Sequence, residues 1–238
     1  MPKKEHIRQM FGQIASDYDK LNHIMSLDVD KNWRRRAIRR LLEPPSCDPA
    51  EGLHILDLAC GTGDFALAMA RADGDCRVTG VDLTEEMLAV MDRKVKDAGL
   101  QGRIAMETGD GEALRFADGT FDRVAIAFGI RNFEDKEKGL REMLRVLKPG
   151  GRLVILELSE PENGLMRACY NLYFLHILPW IGGAVSGSKS AYRYPPASVV
   201  KFPKKQAFMQ MMGDAGFTHI THKAFTFGIC RMYTGEKA

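Results

Sequence analysis

Little in this chain suits it to metal binding, disulfide cross-linking or a place inside a bilayer. Its 238 residues hold five cysteines (Cys47, Cys60, Cys76, Cys169 and Cys230), odd in number and scattered. Without paired spacing they give neither a zinc ribbon nor a disulfide framework, and they read as the reduced thiols of a cytosolic protein. The six histidines are equally dispersed, with His219 and His222 on opposite faces of a predicted strand, so no metal is expected. No apolar run spans a bilayer uninterrupted: the best stretch, 165–185, is broken by Arg167, His176 and Pro179. The opening MPKKEHIRQMFGQ lacks the apolar core of a signal peptide. A net charge of +3 is too small to suggest a nucleic-acid binder by itself. Internal repeats and low-complexity segments are missing as well. With 45% hydrophobic and 27% charged residues, the chain has the composition of one globular α/β unit carrying a helical extension.

What is present is a strand–helix alternation. Residues 1–43 are predicted to form an amphipathic helical cap with turns near Asn22 and Ser26: Ile7, Met10, Phe11 and Ile14 recur at helical spacing, as do Trp33, Ile38, Leu41 and Leu42. PPSCDPAEG (44–52) cannot continue a helix and opens the main domain, 44–238. HILDLA (54–59), CRVTGVD (76–82), RIAMETGD (103–110), FDRVAIAF (121–128) and RLVILEL (152–158) read as strands. Helices fall at 64–72, 84–99 and 134–147, with Thr84 as an N-cap and Gly99 as a stop, and KPGG (148–151) reads as a tight turn. Such alternation implies right-handed crossovers and a doubly wound, mostly parallel sheet. An apolar helical insertion is expected over about 160–200, then a helix at 204–216. THITHKAFTF and ICRMYTG, parted by Gly228, should close the sheet as an antiparallel hairpin.

The principal chemical signal is LDLACGTGD (56–64), a strand running through a glycine turn into a helix. Gly61 and Gly63 permit backbone conformations and close ligand approach that a Cβ would obstruct. Read as Gly61-x-Gly63-x-x-Ala66, with Asp82 about 20 residues on, it also resembles a dinucleotide fingerprint, so a nicotinamide oxidoreductase competes. Three features favour S-adenosylmethionine. Asp57 sits before the glycines, where a carboxylate suits an ammonium and a pyrophosphate has no use for one. Acids end three successive strands (Asp57, Asp82, Asp110), matching the amino-acid, ribose and adenine parts of a nucleoside without phosphate. Asp64 at the helix start suits the helix dipole but competes with an incoming pyrophosphate. Each acid alone would serve equally as a helix cap.

Two blocks then carry a family resemblance. YDKLNHIMSLDVDKNW (Tyr18 to Trp33) is similar to the N-terminal signature of the ubiquinone/menaquinone biosynthesis C-methyltransferases, with Leu21 where a Met and Asp30 where a His is usual. RVLKPGGRLVILELS (Arg145 to Ser159) resembles their C-terminal signature. FGIRNFEDKEKGLREM (128–143) and SAYRYPPASV (190–199) also look like family segments. The resemblance implies a class I, Rossmann-like methyltransferase fold with a seven-stranded sheet whose last strand is antiparallel. It implies S-adenosylmethionine contacts at Thr62, at Asp82 with Leu83 beside it, and at Asp110 with Gly111. At Ala127, where some relatives carry Ser, only the backbone is available. It further implies methyl transfer to a ring carbon of a reduced prenylated quinone.

That reaction needs a phenolate neighbour to activate the carbon, and a site that aligns the reactants and excludes water. Arg131, after the fourth strand, is the leading candidate to stabilise the phenolate, its alternative being an ion pair with Glu134 or Asp135. Tyr18 and Asp19 are candidates for a base or hydrogen bond, Asp19 alternatively organising the turn with Asn22; His23 is a further candidate base. The 165–185 stretch would line a channel for a prenyl tail, dip into the bilayer interface or form plain core. Arg34, Arg35, Arg36, Arg39 and Arg40 would either contact an anionic membrane surface or form a solvated helix face. A non-catalytic cofactor-binding scaffold stays open as a third reading. A nucleic-acid methyltransferase is disfavoured, because FGIRN stands where an Asn/Asp-Pro-Pro-aromatic motif would be.

Overall fold

In the computed structural model, which describes residues 3–16, 18, 19, 26, 28–43, 52–173 and 198–238, the apolar runs form one sheet. Its strands are β1 (His54–Leu58), β2 (Arg77–Asp82), β3 (Ile104–Thr108), β4 (Phe121–Ala127), β5 (Leu147–Leu158), β6 (Thr218–Phe225) and β7 (Cys230–Glu236), in the order β3-β2-β1-β4-β5-β7-β6. The first five are mutually parallel, and β7 runs antiparallel to both β5 and β6. The helices are α1 (Lys3–Ile14), α2 (Val29–Leu41), α3 (Asp64–Ala72), α4 (Glu85–Asp97), α5 (Lys136–Val146), α6 (Gly164–Asn171) and α7 (Lys205–Asp214).

Burial on both faces explains the near-continuous apolar strands. One face packs β1 and its neighbours against α2, α3 and α4 through Trp33, Phe65, Met69, Met91 and Val95. The other packs against α5 and α7 through Leu140, Met143, Phe208, Met212 and Phe217. The helix α2 belongs to this core, with Trp33, Ala37 and Leu41 buried. Its last turn is held from below, Arg123 of β4 donating to the Leu41 carbonyl at 2.9 Å and Arg152 of β5 to that of Arg40 at 2.9 Å. Cations at a helix C-terminus satisfy carbonyls that have no intrahelical partner.

Three expectations are corrected. The KPGG segment is not a turn before β5 but part of it: Leu147 already pairs with Phe121, and the register slips between Phe121 and Arg123, which absorbs the extra residues as a bulge. Thr84 stands at the N-cap of α4, but its hydroxyl makes no cap bond. The five arginines of α2 do not share one face. Arg34 is turned inward with its side chain 12% exposed, and Arg40 pairs with Glu43, leaving Arg35, Arg36 and Arg39 exposed. Asn22, His23, most of 44–52 and the stretch 174–197, with it most of the predicted apolar insertion, lie outside the described residues.

Candidate active site

Because β1 connects to β2 on one side and sits beside β4 on the other, a crevice opens at the carboxyl ends of β1 and β4, where open α/β sheets take ligands. An open cavity lies there. Its floor is the turn leaving β1, where Ala59, Gly61 and Gly63 all have positive φ (52°, 55° and 83°). At Gly63 a Cβ would also fall 2.5 Å from Met91 Cγ, so a side chain there would push the turn off α4. Phe128, leaving β4, is likewise left-handed at φ 61°, and a Cβ on Gly129 would come within 2.6 Å of that of Ala59. Strained backbone on both lips of one crevice is where function is expected to be held.

Of the predicted cofactor residues, Gly61, Asp82, Leu83, Asp110, Gly111 and Ala127 line this cavity. Asp57, Thr62 and Gly63 belong to the same strand end and turn but do not line it. Asp57 is 1% exposed and its Oδ2 has no hydrogen-bond partner. Burial pushes its carboxyl up to about 8 against the pull of Arg34, with Asp82 pushing the same way as burial. Asp82 is raised too, by burial, although its oxygens accept from Gly61 N at 2.8 Å and Thr84 N at 2.9 Å. Asp110 accepts from Glu112 N at 2.9 Å, and its other oxygen meets Lys4 Nζ at 2.7 Å. Burial pulls Asp110 upward, but the Lys4 bond and its neighbours leave it below the usual carboxylate range.

The N-terminal segment roofs the cavity. Ile7, Phe11 and Tyr18 line it, Phe11 and Tyr18 meeting edge to face at 5.8 Å. Asp19 is not a free carboxylate: it accepts from the Thr62 hydroxyl and, at 2.7 Å, from Lys94. Lys94 also pairs with Asp64, Asp64 with Arg34 at 3.0 Å, and Arg34 with Asp30 at 3.0 Å. Asp64, predicted from the helix dipole, is thus also the hub through which the N-terminal signature grips the glycine turn.

Lys4 was not anticipated, yet it touches Asp110 and Glu112 (2.9 Å), and its backbone N–H donates to Glu134. Its signal lay in the spacing Lys4, Ile7, Phe11, which puts all three on one face of α1. Lys4→Ala is expected to speed S-adenosylhomocysteine release roughly three- to tenfold at low ionic strength, and less as salt screens the pairs. Stopped-flow displacement measures this; an unchanged rate at low salt would show that α1 does not close the cavity.

Arg131 sits in a single 3₁₀ turn, Ile130–Asn132, and is 8% exposed. Its Nη1 donates to Glu157 Oε1 at 2.6 Å and to the Phe128 carbonyl, its Nε to Ser198 Oγ at 3.3 Å and its backbone N–H to Glu157 Oε2 at 3.1 Å. The expected partners were Glu134 or Asp135. Both are engaged elsewhere, Glu134 with Lys4 and Asp135 as the N-cap of α5 through Lys138 N at 2.9 Å. The residues flanking Arg131 (Phe128, Gly129, Asn132 and Phe133) line the cavity, and Arg131 itself lies behind them.

A buried carboxylate with an orphaned oxygen, a glycine cradle and two further strand-end acids fit a cationic amino acid joined to a nucleoside, and offer nothing to a pyrophosphate. Fold and site together define a class I S-adenosylmethionine-dependent methyltransferase. Solved structures share the architecture: a possible histamine N-methyltransferase from Thermotoga maritima superposes with a TM-score of 0.68 at 18% identity, covering 98% of this chain and 100% of that one. The methyltransferase in complex with the Haloferax volcanii Trm112 activator gives 0.67 at 18%, covering 95% and 96%.

The chain belongs to the ubiE/COQ5 methyltransferase family, whose model matches residues 1–237. It is 48% identical over 236 residues to the ubiquinone/menaquinone biosynthesis C-methyltransferase UbiE of Geobacter sulfurreducens (99% of this chain, 90% of that one). It is 42% identical over 235 residues to the demethylmenaquinone methyltransferase of Bacteroides fragilis (99% and 94%), and 44% identical over 228 residues to that of Thermus thermophilus (96% and 100%).

Proposed function

We propose that this enzyme methylates a ring carbon of a reduced prenylated quinone, with demethylmenaquinol as its acceptor and the ubiquinone-pathway benzoquinol as a second candidate. The observation that carries the reading is a cavity whose lining joins strand-end acids, Asp82 and Asp110, to an apolar set of Ile7, Phe11, Phe128 and Phe133. The first suits a charged nucleoside and the second a flat hydrophobic ring. Full-length similarity to relatives named for this chemistry supports it.

S-adenosylmethionine supplies an electrophilic methyl group when bound. The chain's own residues do the rest. Asp57 would balance the ammonium charge, Asp82 would accept from the ribose hydroxyls and Asp110 would serve the adenine end. The apolar roof keeps water from the reacting carbon, so that charge developing on the quinol oxygen is stabilised by fixed groups rather than by solvent. Tyr18, which lines the cavity, is the candidate hydrogen-bonding group for that oxygen. Asp19, bound to Thr62 and Lys94, holds Tyr18 over the glycine turn. Arg131 ties β5 to the Phe128 carbonyl and so sets the height of the lip on which the ring rests. The acceptor's polyprenyl tail belongs in a bilayer, which places the reaction at a membrane surface. Among the described residues no helix is long and apolar enough to cross a membrane.

Transfer of labelled methyl groups to chemically reduced demethylmenaquinol and its benzoquinol counterpart tests the reading. Turnover on demethylmenaquinol is expected. Tight S-adenosylhomocysteine binding with no transfer to either quinol would overturn the acceptor class and leave the methyltransferase assignment standing.

A further inference from the structure

The turn Thr226–Gly228 between β6 and β7 spends conformational energy on exposure. Thr226 and Phe227 both have positive φ (46° and 55°), a region bulky L-residues avoid, and Phe227 is left 75% exposed. The turn is otherwise well anchored: Trp33 Nε1 donates to Thr226 Oγ1 at 2.9 Å, and Ser159 Oγ to the Gly228 carbonyl at 2.6 Å. A fixed turn that holds an aromatic ring in solvent is built for contact, not for packing.

Its position and charge say with what. Since β6 runs antiparallel to β7 and β7 antiparallel to β5, the turn lies at the carboxyl edge of the sheet, the edge that carries the cavity. Beside it runs α2, whose Arg36 guanidinium lies 5.7 Å from the centre of the Phe225 ring. Arg35, Arg36 and Arg39 are exposed, and none is ion-paired with a described residue. Lys223, exposed on β6, pairs in register with Met232, a member of the core on the α2 side of the sheet, and so adds to the same face. Leu165, also 75% exposed, lies in the first turn of α6, which follows the Pro161–Glu162 segment beside Gly228. One apolar projection beside exposed cations on the cavity edge matches a negatively charged interface with a hydrocarbon interior.

We propose that the face formed by the exposed side of α2 and the Thr226–Gly228 turn docks on an anionic lipid bilayer, with Phe227 inserted below the headgroups and the arginines on the lipid phosphates. This deepens the prenylated-quinol reading by stating how the cavity is brought to a membrane-resident acceptor. It is scored without any acceptor, so it stands or falls separately.

The test is co-sedimentation of the full chain with vesicles of phosphatidylglycerol and phosphatidylcholine, against vesicles of phosphatidylcholine alone. Binding is expected on the anionic vesicles only, weakening with salt. R35Q/R36Q/R39Q should bind about a hundredfold more weakly, about fivefold per arginine removed. F227S should also bind more weakly, and both variants should keep the parent's circular dichroism and S-adenosylhomocysteine affinity. No sedimentation at low salt, equal binding to the neutral vesicles, or variants that bind like the parent would overturn the proposal. So would a dimer lost in F227S without vesicle binding, which would make the face a contact between copies.

Discussion

Replacing Asp57 by asparagine is expected to weaken S-adenosylhomocysteine binding by about thirtyfold to several-thousandfold, the usual cost of removing one partner of a buried charge pair being about 2–5 kcal/mol. The variant keeps the shape of the side chain and removes only the charge that would answer the ligand's ammonium. The pH dependence carries the sharper signature. Asp57 is pushed up to about 8 by burial, so below that pH the empty site holds a proton. A cationic ligand selects the ionised form, and affinity should rise up to tenfold per pH unit until about 8 and then level. Stability runs the opposite way. The folded carboxyl holds a proton that the unfolded chain, near 3.8, has already lost, so the empty protein should lose stability as pH rises from about 4 to about 8. Asp57→Asn should flatten both trends, as read by calorimetric titration and thermal melts across pH. A parent affinity that is flat between pH 6 and 8 would mean that Asp57 does not meet the ammonium.

Much of this site could be read from the chain because its signals are local. The glycine turn, the acid before it and the acids ending β2 and β3 are each set by a strand meeting a loop, and α3 runs over Asp64–Ala72 as the pattern of apolar residues predicts. What escaped depends on pairs far apart in sequence. Lys4 meets Asp110 across 106 residues, and Arg131 meets Glu157 rather than the acids three and four residues away, because β5 brings Glu157 alongside the end of β4. Arg34 is instructive in another way. It is one of five arginines in a stretch without acids after Asp30, and composition groups it with the others. Helical spacing instead sets it beside Asp30, Trp33, Ala37 and Leu41, the buried side of α2, where it reaches Asp64 and lies 5.6 Å from the centre of the Phe128 ring. The residue pattern thus held the answer that the charge count obscured.

Arg131→Ala is expected to act first on stability. It strips the guanidinium from Glu157, which is 1% exposed, and leaving a buried charge uncompensated costs about 3–5 kcal/mol. For a chain of this size that is a fall in melting temperature of about 10 °C. Loss of methyl transfer in the single variant therefore says little about chemistry. The informative protein is Arg131→Ala/Glu157→Gln, which removes both charges and should regain most of the melting temperature, because a neutral amide is far cheaper to bury than a lone carboxylate. The double variant still lacks the bond to the Phe128 carbonyl, so a positioning role predicts kcat within about tenfold of the parent and a larger loss on KM for the quinol, with binding of S-adenosylhomocysteine unchanged. Turnover that stays lost in a fully folded double variant, with cofactor affinity intact, would place the guanidinium on the acceptor oxygen itself and make Arg131 a catalytic residue rather than a positioning one.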